Sequence, residues 1–240
     1  MKARHRIAFS LAIGIATFIV FLFHPYFRVN SIHVNDTHFL AREDVEQGLR
    51  PILHKNILVR YFLGPFMRRF QDANPAILGM TVSIDFPDHL SVVIQEKTAW
   101  VAFFSEGRTI FVAKDGSILN PDRTVAFPDQ DLIPIVRGVP LNVLQNDTIP
   151  FWLHDNITLL ISNISTYFPN QNLQIELLHH MQFMVLKDDI LPIKIGSLDF
   201  LDHKFRNLRA FLDNYQENMP PIAYIDLRIE DRIVVQYDKS

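Results

Sequence analysis

Residues 80–96 read Met80-Thr81-Val82-Ser83-Ile84-Asp85-Phe86-Pro87-Asp88-His89-Leu90-Ser91-Val92-Val93-Ile94-Gln95-Glu96. Met80 to Phe86 alternates cleanly, Pro87-Asp88 supplies turn chemistry, and Leu90 to Glu96 alternates again with Leu90, Val92 and Ile94 on one face. A period of two on both sides of a turn predicts paired, half-buried strands. Upstream the period lengthens. Ala41 to Leu53 carries Val45, Leu49, Ile52 and Leu53 at helical spacing, with Glu43 and Asp44 in the first turn, where the helix dipole favours acids. Ile57 to Phe70 continues with Leu58, Tyr61, Phe62, Phe66 and Phe70; Gly64-Pro65 is expected to break or kink it, and Asn74-Pro75 to close it. Val29 to Asn35 reads as a short strand entering the Asn35-Asp36-Thr37 turn. The order β-α-α-β-β predicts a small sheet with two helices on one face, an α+β unit over residues 28–97.

Downstream, residues 98–240 change character to short strands. Trp100 to Phe104 and Thr109 to Ala113 form a hairpin around Glu106-Gly107, and Lys114-Asp115-Gly116 turns into Ser117 to Leu119. Pro121 to Pro134 is a loop rich in proline and aspartate, and Ile135-Val136 starts another strand. Leu173 to Leu178, Met181 to Leu186 and Ile190 to Ile195 make a meander through the Lys187-Asp188-Asp189 turn, and Ala223 to Leu227 and Ile233 to Tyr237 close the chain. Two helices interrupt the strands. Phe151 to Phe168 stacks Leu153, Ile157, Leu160, Ile161 and Ile164, and Phe200 to Tyr215 stacks Phe205, Leu208, Phe211 and Leu212 before Pro220-Pro221 stops it. A mainly antiparallel β domain with two flanking helices is expected here.

At the other end, Ile7 to Phe23 (IAFSLAIGIATFIVFLF) holds 17 residues without a charge. With Tyr26 and Phe27 as an interfacial collar, residues 7–27 are expected to form one transmembrane helix. Lys2, Arg4 and Arg6 precede it and Pro25 and Arg28 follow, which keeps residues 1–6 in the cytoplasm as a short tail. The exit Phe21-Leu22-Phe23-His24-Pro25-Tyr26 is too bulky for signal-peptide cleavage. The expected topology is single-pass and type II, with the bulk of the chain exported. Four of the 23 Lys and Arg lie in residues 1–28 with no acid, so the rest holds 19 against 26 Asp and Glu, a formal charge of −7. Such a surface disfavours nucleic acid and anionic lipid.

Apolar residues at 48% and charged residues at 20% exclude long disorder. With no cysteine, the chain has no disulfide, thiolate metal site or cysteine nucleophile. Neither GxGxxG nor GxxxxGK[ST] nor GxSxG nor HExxH is present. Glu176 with His179-His180 gives E-x-x-H-H, but adjacent strand residues point to opposite faces and cannot share an ion. His33 and His38 flank a turn without a third ligand. The acid pairs Asp188-Asp189, Asp199/Asp202 and Glu230-Asp231 sit at turns and helix starts, where capping explains them. The expectation is a non-enzymatic protein without catalytic residues, metal, cofactor or small-molecule substrate.

Several local patterns, in their order, resemble the FtsQ/DivIB family of bacterial division proteins. They are Phe27-Arg28-Val29 running to Ile32-His33-Val34; Phe86-Pro87-Asp88-His89-Leu90 with Val92 to Ile94; and Gln95-Glu96-Lys97-Thr98-Ala99. Lys114-Asp115-Gly116-Ser117-Ile118, Ile195-Gly196 and Ile225-Asp226-Leu227-Arg228 complete the set, although Asn35 and Ala113 depart from the family's usual glycine and acid. The resemblance implies that residues 28–97 form a POTRA-like domain and residues 98–240 an FtsQ-type β domain. It also implies an inner-membrane, periplasmic scaffold at the division septum that holds FtsB/FtsL-like partners and links early division proteins to septal peptidoglycan synthesis. The alternatives are a POTRA-containing envelope protein that binds polypeptides and an anchored periplasmic binding domain of another role.

The last strand, Ile233 to Tyr237, is expected at a sheet edge, apolar on both faces and free of proline. Such an edge accepts a partner by strand addition. Ile233, Val235 and Tyr237, together with Tyr224, Arg228 and Ile229 beside them, are the expected partner-binding residues, with pairing of Arg228 to Asp226 as the internal alternative. The family resemblance points to the same region for the FtsB-like partner.

Overall fold

A computed structural model describes residues 11–18, 20, 24, 26, 28–56, 63–85, 88–119, 133–144, 146–169, 173–178, 182–187, 191–215, 220–230 and 232–238. The contacts divide the chain into two compact units, residues 1–97 and residues 98–240.

The first unit builds on the hairpin at residues 80–96. Strand β1 (Ser31–Val34) runs parallel to β3 (His89–Glu96), and β3 pairs antiparallel with β2 (Ile77–Asp85), in the order β1-β3-β2. Val34 and Val82 both face Val92, and Ile32 and Ile84 both face Leu90, so the apolar set of each strand lands on one side. Helices α2 (Arg42–Leu49) and α3 (Leu63–Asp72) add Val45, Leu49 and Met67 to a core with Val29, Leu90, Val92 and Ile94. Gly48 sets the helix spacing: a Cβ there would stand 2.2 Å from the Phe70 ring. Gly64-Pro65 lie within the described helix α3, which runs through them from Leu63 to Asp72. Leu58, Tyr61 and Phe62 lie outside the described residues.

Two side chains finish the backbone pairing. The Asn35 amide donates to the Ile94 carbonyl (3.1 Å) and accepts the Ile94 N–H (2.7 Å), which prolongs the β1–β3 ladder past Val34. The Glu96 carboxylate accepts the N–H groups of His38 (2.6 Å), Phe39 (2.9 Å) and Leu40 (3.0 Å), fixing the loop that enters α2.

The second unit is one eight-stranded sheet. Its strands are β4 (Ala99–Ser105), β5 (Arg108–Ala113), β6 (Ile135–Arg137), β7 (Leu173–Leu178), β8 (Gln182–Lys187), β9 (Leu191–Gly196), β10 (Ile222–Asp226) and β11 (Val234–Tyr237), in the order β11-β10-β9-β8-β7-β6-β4-β5. Helix α4 (Phe151–Tyr167) connects β6 to β7, and α5 (Leu201–Asn214) connects β9 to β10. Leu153, Ile157, Leu160 and Ile164 of α4 share a core with Phe205 and Leu208 of α5 and with Val101, Phe103, Val136, Ile175, Ile193 and Ile225 of the sheet.

The sheet is mixed: β10–β11, β4–β5, β7–β8 and β8–β9 pair antiparallel and β4–β6, β6–β7 and β9–β10 in parallel; at β6–β7 and β9–β10 a helical crossover returns the chain to the same end of the sheet, so the next strand runs the same way. The expected membrane helix over residues 7–27 is overturned. Residues 7–10, 19, 21–23, 25 and 27 lie outside the described residues, and among those described no helix is long and apolar enough to cross a membrane. Residues 11–18 (α1) are helical, as is residue 20. Leu11, Ile13, Ile15 and Phe18 of α1 are exposed.

Leu49 is fully buried between α2 and the sheet. Leu49→Ala is expected to cost about 2–5 kcal/mol in a urea melt of the full chain. Asn35→Ala strands the N–H and C=O of Ile94 and is expected to cost about 1–3 kcal/mol. An unchanged midpoint in either variant would refute the packing described for the first unit.

Candidate protein-docking edge

An eight-stranded sheet has two edges, and this chain treats them differently. At β5, residues 117–119 cover the edge: the Leu119 N–H donates to the Phe111 carbonyl (2.8 Å) and the Ala113 N–H to the Ser117 carbonyl (2.9 Å). That segment is held in turn, because the Ile118 N–H donates to Asp147 (2.8 Å) and the Ile149 N–H to Gly116 (3.0 Å). Gly116 stands at φ +83, where L side chains are strained.

At β11 nothing comparable is found among the described residues, where β10 is its one paired neighbour. The Asp238 N–H donates to the Pro221 carbonyl (2.8 Å), and antiparallel alternation from that pair turns the N–H and C=O groups of Tyr237 and Val235 away from β10. Val235 stands opposite Ile225 and Tyr237 opposite Ile222, on the face that carries the helices. Val234 stands opposite Asp226 and Gln236 opposite Tyr224, on the other face. Val234 is 44% exposed, Tyr237 37% and Ile229, in the β10–β11 connection, 55%. These are large apolar side chains around a strand edge without a second neighbouring strand among the described residues, a combination that folded chains ordinarily shield; the Tyr237 carbonyl accepts only the Gln236 side-chain amide (3.1 Å). Ile233 departs from the expectation: it precedes the strand and packs half-buried against the core.

Beside the edge lies a bonded corner. Arg228 donates through Nε to both oxygens of Asp226 (2.9 and 3.0 Å), through Nη2 to Oδ2 (2.6 Å) and through its backbone N–H to Oδ1 (3.0 Å). The internal pairing is therefore the one present, although half of the Arg228 side chain stays exposed. These bonds hold the Asp226 carboxyl below the ordinary carboxylate range, against burial, which pushes the other way. The aliphatic stem of Arg228 crosses Gly196, where a Cβ would come within 2.8 Å of its Cγ and where φ is +73. Lys204, almost fully buried, clamps the end of β9 by donating to the Ile195 (3.1 Å) and Ser197 (2.8 Å) carbonyls; burial lowers the pKa of its ammonium.

Tyr224 shares a strand face with Asp226, as period two requires, and its ring lies 3.8 Å below the Lys194 ammonium. Lys194, Gly196 and Lys204 are the residues that sequence reasoning missed. Gly196 was visible as a motif residue, but the stem that demands it comes from 32 positions away, at Arg228. Among the described residues no group of three His, Cys, Asp or Glu could hold a metal, and His179, His180, Asp188, Asp189 and Asp231 lie outside them. Asp202 accepts the Tyr167 hydroxyl (2.5 Å) and pairs with Arg206 on the surface, a tie between α4 and α5. The geometry offers backbone hydrogen bonds and apolar contact, which are recognition chemistry.

A scan against protein-family models finds no match for this chain, and a search of curated proteins finds none either.

The lowered pKa of Asp226 fixes the sign of an acid effect. The unfolded chain takes up the proton first as pH falls, so the contribution is complete above the ordinary carboxylate range and is lost as pH drops through the folded value. The stability difference between the parent and Asp226→Asn is expected to be largest near neutral pH and to shrink on acidification. Urea melts of both chains across that range measure it, and a difference that grew towards acid would contradict the corner.

Proposed function

We propose that this chain is a non-enzymatic scaffold of the bacterial division machinery, of the FtsQ/DivIB type, which receives an FtsB/FtsL-like partner segment as an added strand at β11. The observation that carries this reading is the asymmetry of the sheet: one edge is covered by the chain's own residues 117–119, while the other leaves Val235 and Tyr237 with outward backbone groups among exposed apolar side chains. Strand addition draws affinity from such groups and selectivity from the flanking side chains. In this reading Tyr237, Val235, Tyr224 and Ile229 meet the partner, Ile233 supports the strand from the core, and the exposed half of Arg228 meets a partner carboxylate while Asp226 holds its other side. The lack of cysteine suits an extracytoplasmic setting, and we place the working surface in the periplasm at the septum, where it links early division proteins to septal peptidoglycan synthesis. No cofactor, nucleic acid or small-molecule substrate enters the proposal.

The test is calorimetric titration of the full chain with the exported segment of an FtsB-like protein. Val235→Pro removes an outward donor and is expected to weaken binding at least tenfold while circular dichroism stays that of the parent. Ile229→Glu and Arg228→Glu alter the rim and are expected to weaken it several-fold. Parent-like folding and binding in all three would overturn the site, and unfolding of Val235→Pro would show that the strand is interior.

A further inference from the structure

The face of the second unit opposite α4 and α5 holds a groove that the edge does not use. In β4, Val101 and Phe103 point to the helices, so Ala102 and Phe104 point the other way; in β6 the same alternation sends Val136 to the core and Ile135 and Arg137 outward. Ala102, Phe104, Phe111, Ile133, Ile135 and Arg137 line an open depression there. Its floor is dry: Ala102 is 4% exposed and Phe111 is fully buried. Phe104 is a wall, 40% exposed.

Arg137 gives the groove its sign. The guanidinium lies 5.2 Å from the centre of the Phe104 ring, and no ion pair to it is found among the described residues. Its register neighbour Glu176 on β7 stands directly opposite, yet Arg137 leans to the ring and not to that carboxylate. A guanidinium stacked on an aromatic ring is weakly hydrated and keeps its donor fork free for a carboxylate. Among the described residues no acid lines the groove, and the apolar wall beside the charge strengthens its attraction for an anion. The depression is open and sized for a single side chain, so a ligand must continue beyond it.

We propose that this groove binds an extended peptide through one large apolar side chain seated on Ala102 and Phe104 and a following acidic residue held by Arg137. This surface is separate from the β11 edge, at the other end of the strand order, and does not depend on the division reading. Glu176, opposite Arg137 in register, lowers the positive potential there and so weakens the hold on the ligand's acid.

The probe is N-acetyl-Ser-Leu-Asp-Ser-amide, titrated into the ¹⁵N-labelled full chain, with Ser-Leu-Lys-Ser and Ser-Ser-Asp-Ser peptides of the same design as controls. The Leu-Asp peptide is expected to move the amides of residues 102–104 and 135–137 and to bind at least fivefold tighter than either control. Arg137→Glu is expected to reverse the Asp-over-Lys order while the amides of the first unit stay unmoved, and Glu176→Gln to tighten Leu-Asp binding about twofold. Equal affinities for the three peptides, or an order unchanged in Arg137→Glu, would overturn the proposal. So would tighter Arg137-dependent binding of octanoate than of the peptide, which would assign the groove to a fatty acyl anion.

Discussion

Everything in the larger unit follows from two helical crossovers, β6–α4–β7 and β9–α5–β10. A parallel connection in a sheet winds right-handed, and both connections here advance in the same direction along the strand order between strands of the same sense. They must therefore deliver their helices to the same face. The shared core of Leu160, Ile164, Phe205 and Leu208 is the result. One face of the sheet becomes dry, and alternate residues of every strand are sent to the other, which no described helix covers. The bare edge at β11, the Lys194–Tyr224 stack and the Arg137 groove are all consequences of that partition.

Much of this was legible in the sequence, and the limits are instructive. The hairpin of β2 and β3 was readable because Leu90, Val92 and Ile94 repeat strictly and Pro87-Asp88 marks the turn. Helices α4 and α5 were readable from stripes such as Leu153, Ile157, Leu160 and Ile164. Parallel pairing was not, because alternation reports which face a residue takes and says nothing of the partner strand's direction. The apolar run from Ile7 to Phe23 raised a membrane-spanning expectation from composition alone, and no described helix is long and apolar enough to meet it.

The edge was legible in outline and the corner beside it was not. The position of β11 and its outward groups agree with a proline-free, apolar closing strand, while Ile233 turned out to be a core contact. That Arg228 would bend back over Asp226, lie across Gly196 and adjoin a lysine clamp from α5 is information carried between segments far apart in sequence. The fork of hydrogen bonds to Asp226 leaves Arg228 oriented, so a partner carboxylate would find the guanidinium already placed and would bear less of the ordering entropy.

The shortness of β11 has a quantitative consequence. Four residues, of which Val235 and Tyr237 turn outward, present two donors and the Val235 acceptor, the Tyr237 carbonyl already accepting the Gln236 side-chain amide (3.1 Å). At a net worth of about 0.5–1.5 kcal/mol each, three backbone bonds supply roughly 1.5–4.5 kcal/mol. The lost freedom of two bodies on association costs about 4–15 kcal/mol. A ladder of this length therefore acts as a ruler more than as a glue: it sets the register in which an incoming chain lies, and the holding force has to come from what that register places over Val234, Tyr237 and Ile229.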